Sequence, residues 1–436
     1  MKVAFYTLGC KLNQAETESL ADDFSKAGFQ LASPADGADI YIANTCTVTH
    51  IADRKSRHWL RLARRRNPHA LIIATGCYAQ RNRQELAQLA DLVVDNQEKE
   101  HLLALTQTLS LEGRGLGEGG AKQSQTPTAV RTRSLVKIQD GCHSSCAYCI
   151  VPKVRPDEYS LPASGIIAEV KHRVALGYKE VVLTGTKVGS YKSNGVYLWD
   201  LVRRILHNTG IARLRLSSLQ PSEISPEFLA LWQDERLCRH FHLALQSGSE
   251  TVLRRMHRSY SLDQYQTTVN LIRELIPDVA ITTDIMVGFP GESDDEFEQS
   301  YSFCLQAGFA NIHVFPFSPR PDTAAAAMTG QVADKVKQER NQRMLELSQS
   351  SRRRFRQQFL GQTVPVLWEK EMPTLSSILG KVGTSPGSSI YSGLTGNYIR
   401  VFARSEKPLN NELTPVRLAD LHGQGIWGEM VDENPG

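Results

Sequence analysis

Gly141-Cys142-His143-Ser144-Ser145-Cys146-Ala147-Tyr148-Cys149 follows an apolar run, Leu135-Val136-Lys137-Ile138, and holds three cysteines at C-x3-C-x2-C spacing. Three thiolates this close can wrap a small inorganic cluster from one side. An iron-sulfur cube has four irons, so three cysteines leave one iron without a protein ligand. An open iron binds a small molecule, which makes such a cluster a reagent and not a staple. Spacing alone leaves two other readings. A structural zinc site asks for four ligands with paired C-x2-C spacing, so His143 or a distant residue would have to complete it. A disulfide would leave one thiol of the three over and suits a secreted chain.

The bulk properties narrow the field. A chain of 436 residues is long enough for two or three domains, and 41% hydrophobic with 22% charged residues is ordinary for a protein with sizeable cores. No run of 18 or more apolar residues is present, and Met1-Lys2-Val3-Ala4-Phe5-Tyr6 reads as a strand rather than a signal sequence. The expectation is therefore a cytoplasmic protein without a membrane span, in a compartment where thiols stay reduced. A net charge of +4 is too mild to establish a nucleic-acid partner. The distribution of that charge says more.

Residues 1–104 read as alternating strand and helix, hence an open parallel α/β domain. Val3–Leu8 is a strand running into Gly9-Cys10 and a helix from about Asn13 to Ala27. Asp39–Ala43 runs into Asn44-Thr45-Cys46, and Leu71–Thr75 into Gly76-Cys77. The carboxyl ends of parallel strands share one edge, where ligands bind. Cys10, Cys46 and Cys77 are thus expected to converge and to hold a second cluster, again with an open iron; the alternative is three ordinary buried cysteines. Cys238 and Cys304 fall in helix-like stretches without partners and read as core. Between Cys46 and the third strand, residues 54–66 form a basic helix face with Trp59, Leu60 and Ala63 turned inward. A solvated face is the default for such a run, and a place for RNA phosphates is the sharper reading.

Residues 105–133 are rich in Gly, Ser, Thr and Gln and read as a linker. Residues 134–360 repeat strand and helix, with strands at 134–140, 180–184, 213–218, 240–246, 280–287 and 311–317. Six such units make a partial (β/α)6 barrel whose site gathers at the carboxyl ends of the strands. Residues at those polar strand ends include Gly185, Ser217, Gln246 and Asp284, and with Tyr148 they outline a nucleotide pocket on the rim that carries Cys142. After a basic helix (Lys335 to Phe359), residues 361–431 hold short strands at Val364–Glu369, Tyr398–Arg404 and Val416–Leu418 between Gly-rich turns. A small β-barrel fits, either a nucleic-acid binder or a dimerisation module.

Thr7-Leu8-Gly9-Cys10-Lys11-Leu12-Asn13, Asn44-Thr45-Cys46-Thr47-Val48-Thr49 and Thr75-Gly76-Cys77-Tyr78-Ala79-Gln80 resemble the amino-terminal domain of the radical S-adenosylmethionine (SAM) methylthiotransferases. Cys142-x3-Cys146-x2-Cys149-Ile150-Val151-Pro152, Leu245–Ser249 and Asp284–Glu292 are similar to further blocks of that family, and Gly396–Val401 resembles its RNA-binding TRAM barrel. The resemblance implies two [4Fe-4S] clusters. One, on Cys142, Cys146 and Cys149, would cleave SAM to a radical. The other, on Cys10, Cys46 and Cys77, would carry the sulfur that is transferred. It also implies a tRNA anticodon arm as substrate, an electron donor and a sulfur source. Gly9-Cys10-Lys11 and Cys46-Thr47-Val48-Thr49 are most like the branch that acts on threonylcarbamoyladenosine, as against isopentenyladenosine or a ribosomal-protein aspartate. A non-catalytic iron-sulfur carrier or RNA-binding protein ordinarily closes its cluster with four ligands, and the three-plus-three count speaks against it. The chain departs from the family's usual pattern at Pro156, Leu161, Lys187, Gln220 and Ala244, none of them a cluster cysteine.

Overall fold

The first domain is a five-stranded parallel sheet in the order Gln30–Ala32, Lys2–Thr7, Ile40–Thr45, Leu71–Gly76, Leu92–Val93. The computed structural model describes residues 1–113, 132–372 and 388–431. Ile40–Thr45 is buried along its whole length, as a parallel strand between helix layers must be. The two flanking strands escape the sequence reading because they are too short to show a pattern. The winding reverses between the first and third strands in sequence. At such a switch point the strand ends splay and leave a crevice.

Helix His50–Arg66 buries Trp59, Leu60 and Ala63 on the sheet, with Trp59 stacked on Tyr6 at 4.5 Å. Thr49 caps its start by accepting from the Ala52 amide, and Arg64, Arg65 and Arg66 in the last turn complement the helix dipole. Part of its basic face is already engaged, since Arg57 pairs with Glu85 at 3.2 Å and Arg64 with Asp91 at 2.5 Å. Arg54, Lys55, Arg61 and Arg65 remain exposed.

The central domain has the expected six parallel units. Its strands form a sheet of three (Arg133–Lys137, Glu180–Thr184, Arg213–Leu216) and one of four (Ser218–Leu219, His240–Leu243, Ala280–Val287, Asn311–Pro316). The single strand expected at 213–218 is thus divided, with Ser217 at the break. Leu214, Phe241, Ile281 and Ile312 face the outer helices in one large core. The open side is covered by helix Lys11–Lys26 of the first domain, where Ala15 packs on Leu135 and Val182.

Two expectations need amendment. Helix Leu102–Gly113 takes up the start of the stretch read as a linker, and the Gly-rich residues 114–131 lie outside the described residues. Cys304 is a buried helical residue as expected, but Cys238 sits in a connector, where its amide donates to the Leu214 carbonyl (2.9 Å). A single isolated bridge between Leu237 and Leu214, not a helix, holds this connector on the barrel.

The last domain is a closed five-stranded barrel in the order Thr363–Glu371, Ser389–Thr395, Arg400–Ser405, Gly425–Met430, Leu413–His422. Two of these strands read as turns in sequence because glycines interrupt them. Gly393 is there because a Cβ would stand 2.6 Å from the Leu367 carbonyl of the paired strand. Trp368 is wholly buried at the barrel's centre, with its indole N–H donating to Thr414 Oγ1 at 2.8 Å. Among the described residues, no helix is long and apolar enough to cross a membrane.

Trp368→Ala leaves a large void in a small core and should cost about 3–5 kcal/mol. Hydrogen exchange should then quicken in strands Ser389–Thr395 and Arg400–Ser405 while the central barrel keeps its protection. Uniform loss of protection in both domains would show that the small barrel is not a separate cooperative unit.

Candidate functional site

Each of the three N-terminal cysteines stands where a sheet strand ends. Cys10 precedes helix Lys11–Lys26, Cys46 follows strand Ile40–Thr45, and Cys77 begins helix Cys77–Arg81. Their strands are neighbours at the switch point, which brings the three thiols within electrostatic range of one another. Cys10 is open to the crevice, yet the protein around it, with Cys77, raises its thiol above the ordinary value. Burial, assisted by Cys77 and Cys10, pushes Cys46 up to about 12. Thiols held in this way stay protonated until a metal displaces the proton.

The second trio lies in the loop between strand Gln139–Asp140 and helix Val151–Val154. Gly141 opens it at φ +72°, against the Asp157 carbonyl, where any side chain would collide. The Ala147 amide donates to the Met256 carbonyl (3.0 Å), and the Ala325 amide to the Ala147 carbonyl (2.8 Å), so the loop is clamped on both sides. Burial, with Cys146 and Cys142 nearby, pushes Cys149 up to about 12.

Arg258, which sequence reasoning missed, reaches this trio. Its Nη1 lies 3.3 Å from Cys146 Sγ and 3.4 Å from the Tyr148 hydroxyl. The only available signal was the basic run Arg254-Arg255-Met256-His257-Arg258, far from the cysteines in sequence.

Cys77 packs with Ile150, the residue after Cys149, and with Val154, so the first trio's edge meets the helix that follows the second trio. Two buried arginines of the central domain hold them together. Arg155 places Nε 3.4 Å from Cys77 Sγ, Nη1 on Asp140 (2.7 Å) and Glu16 (2.8 Å), and Nη2 on Asn13 and Glu16 (3.0 Å each). Lys99 pairs with Glu16 at 2.5 Å and Lys137 with Asp140 at 2.6 Å. Burial alone would raise Glu16, but Lys99, Arg155 and Lys137 hold it well below the usual carboxylate range. Three cations facing two carboxylates leave positive charge over, beside Cys77. Arg320 donates from Nη2 to Thr47 Oγ1 (2.8 Å) and Asp53 Oδ2 (2.6 Å), anchoring the residue after Cys46.

The residues expected around a nucleotide gather on the barrel rim but are not equally free. Ser217 Oγ and Gln246 Oε1 are buried with no hydrogen-bond partner. Gln246 adopts φ +72° while its main chain pairs with Asp284 and Met286, so its side chain is carried on a fixed support. Asp284 accepts from His242 Nε2 at 3.1 Å, and Gly185 lies against Gln139. Tyr148 packs among Val252, Met256 and Phe289, so its ring is seated. Lys187 and Gln220 sit on turns, where their amides donate to Gln139 and Glu223 (2.7 and 2.8 Å). Among the described residues, no three His, Cys, Asp or Glu side chains are placed to hold a single metal ion. A cube asks for a different arrangement, since its thiolates bind separate irons.

Comparison with known proteins agrees with this layout. The model of the radical SAM superfamily matches residues 136–304, and that of uncharacterized protein family UPF0004 matches residues 2–95. The chain is 38% identical over 379 residues to the threonylcarbamoyladenosine tRNA methylthiotransferase MtaB of Aquifex aeolicus, covering 84% of this chain and 92% of the relative. The protein of the same name from Bacillus subtilis is 33% identical over 451 residues, covering 99% and 97%. Among solved structures, the radical SAM methyltransferase TsrM of Kitasatospora setae superposes with a TM-score of 0.56 at 15% identity, covering 74% of this chain and 77% of that one; the likeness is one of fold.

Arg155→Met removes the shared partner of two buried carboxylates, and breaking such a network costs about 3–5 kcal/mol. Hydrogen exchange in helix Lys11–Lys26 should quicken sharply while strands Ser389–Thr395 and Arg400–Ser405 keep their protection. Unchanged exchange in that helix would show that Arg155 does not dock the first domain.

Proposed function

The chain belongs to the radical SAM tRNA methylthiotransferases, and on that premise we propose that it adds a methylthio group to threonylcarbamoyladenosine beside the tRNA anticodon. The observation that carries the proposal is the packing of Cys77 against Ile150 and Val154, which supports a reading in which the edge bearing one trio faces the segment that follows the other. Relatives named for that modified nucleoside, together with Gly9-Cys10-Lys11 and Cys46-Thr47-Val48-Thr49, support the choice of substrate.

Cys142, Cys146 and Cys149 would hold one [4Fe-4S] cluster, and Cys10, Cys46 and Cys77 a second. The donor sets fit: each is three thiols, grouped, and flanked by a guanidinium. When bound, these groups supply the electron that breaks SAM and the sulfur that is transferred, while a second SAM supplies the methyl group.

The chain's own part is electrostatic and positional. Arg258 beside Cys146 and Arg155 beside Cys77 offset the negative charge of thiolates in a partly buried site. Ser217 Oγ and Gln246 Oε1 are costly to leave unpaired, and a bound nucleotide would satisfy them. The barrel walls would shield the rim from stray hydrogen donors other than the substrate. Hydrogen abstraction is needed because a hydrogen on the adenine ring carbon is not acidic enough for ordinary proton transfer. The small C-terminal barrel and the exposed Arg54, Lys55, Arg61 and Arg65 would hold the anticodon arm. An external electron donor and a sulfur source complete the reaction.

Anaerobically reconstituted protein should hold about eight irons, falling to about four when Cys142, Cys146 and Cys149 are all changed to Ala. Four irons in the unaltered protein would remove the second cluster.

The substrate is tested by offering tRNAs that carry threonylcarbamoyladenosine or isopentenyladenosine and measuring methylthio nucleosides by mass spectrometry. Product should come from the first. Efficient turnover of only the second would overturn the assignment.

A further inference from the structure

A cavity of about 340 Å³ opens where all three domains meet, lined by Lys11 of the first, His242 and His313 of the central barrel, Arg352 and Arg356 of helix Asp334–Gln357, and Tyr398 of the small barrel. No Asp or Glu lines it among the described residues. Arg400, also on its wall, pairs with Glu369 at 3.1 Å, a carboxylate it shares with Arg133 at 2.8 Å. The other cations are not balanced in this way. Among the described residues, neither Lys11 nor Arg352 has a carboxylate partner, and Arg356 donates only to the backbone carbonyls of Arg352, Gly423 and Gly425.

Several like charges converging on one partly buried space repel one another and cost stability unless an anion joins them. The surroundings register the same potential. Burial would raise the Tyr398 hydroxyl, yet Lys11, Arg133 and Arg215 pull it below its ordinary value. The Nδ1 atoms of His240 and His242 are buried without a partner.

Residues of the cavity wall are linked to the cysteine edge and to the barrel rim. Lys11 directly follows Cys10. On the barrel side, His242 Nε2 donates to Asp284 Oδ1 at 3.1 Å, and the Asp284 carbonyl accepts from the Gln246 amide, which stands on the rim.

We propose that this cavity is an anion-recognition subsite that takes the carboxylate of the threonyl group on the substrate base, with Lys11 and Arg352 as the specificity-determining cations. The inference rests on the function proposed above and deepens it. An isopentenyl group is apolar and would leave these cations unpaired, so the same cavity rejects it. A tRNA backbone phosphate shares the anionic chemistry. It brings a ribose on either side, however, and fits a trough better than a cavity walled by barrel strands, a helix and a second barrel.

The test uses the reconstituted full-length enzyme and three synthetic anticodon-arm RNAs at one salt concentration. One carries threonylcarbamoyladenosine, one the same nucleoside with its carboxylate converted to the methyl amide, and one unmodified adenosine. Unaltered enzyme should bind the carboxylate arm roughly ten- to hundredfold more tightly than the amide arm, the range of a charge-assisted contact. Lys11→Met and Arg352→Gln should each bring that preference to within about twofold and leave affinity for the unmodified arm in place, with thermal melting confirming the fold. Lys11→Arg should restore most of it. A preference that survives both substitutions overturns the subsite, and equal weakening of all three arms assigns the cations to phosphate instead. Methylthio product from threonylcarbamoyl tRNA without any carboxylate preference sinks this inference alone. A carboxylate preference without product sinks the proposed reaction alone.

Discussion

The guanidinium of Arg155 is the contact on which the rest of the structure turns. It comes from the central barrel and touches, at hydrogen-bond distance, Cys77 of one trio, the helix that follows Cys10, and Asp140 just ahead of Cys142. A planar group with five fixed donors can hold that many partners in one geometry, which an ammonium cannot. Buried ion networks contribute little net stability compared with an apolar core, but breaking one is expensive. Their value lies in register. Two domains that slide by an ångström would lose this network at once, and the two cysteine trios would lose their alignment with it.

Arg320 does the same work at the other end of the crevice, tying Thr47 and Asp53 beside Cys46 to the loop after the last barrel strand. The first domain is therefore pinned at two points on either side of its strand ends, while Ala15 closes the barrel's open flank against Leu135 and Val182. The same arrangement settles the charge. Thiols pushed up to about 12 by burial, as at Cys46 and Cys149, favour the neutral empty site; thiolates formed on metal binding find Arg155 and Arg258 already in position.

The small barrel is joined to the central one through charge and not only through shape. Arg213 donates to the Leu394 and Pro365 carbonyls, and Arg215 to the Gly396 carbonyl (3.0 Å) while pairing with buried Glu180 (2.7 Å). The Tyr398 ring lies beneath the Arg215 guanidinium at 4.2 Å and packs on His240 at 4.6 Å. A module that would grip RNA is thus rigidly indexed to the radical-generating barrel, which matters when one carbon of one base must be presented to it.

Much of this was legible in the amino-acid order. The strand-helix rhythm, the three strands that each end in a cysteine, and the C-x3-C-x2-C loop are local patterns, and local patterns survive in one dimension. The parallel sheet and the six-unit partial barrel are therefore written in the residue order itself. The partners of the two cysteine trios are not. Arg258 meets Cys146 and Arg320 meets Thr47 only because the chain folds back on itself, and no periodicity records such a meeting. Short flanking strands and glycine-broken barrel strands were lost for the opposite reason, since their pairing is decided by neighbours and not by their own composition. Lys11 shows the division most clearly. A lysine that follows a cysteine at the start of a helix carries no record, in the order of residues, of what surrounds its side chain. Only the packing of three domains brings it together with Arg352 and Tyr398 around a cavity that no carboxylate lines among the described residues, because charge balance is a property of a volume and not of a stretch of chain.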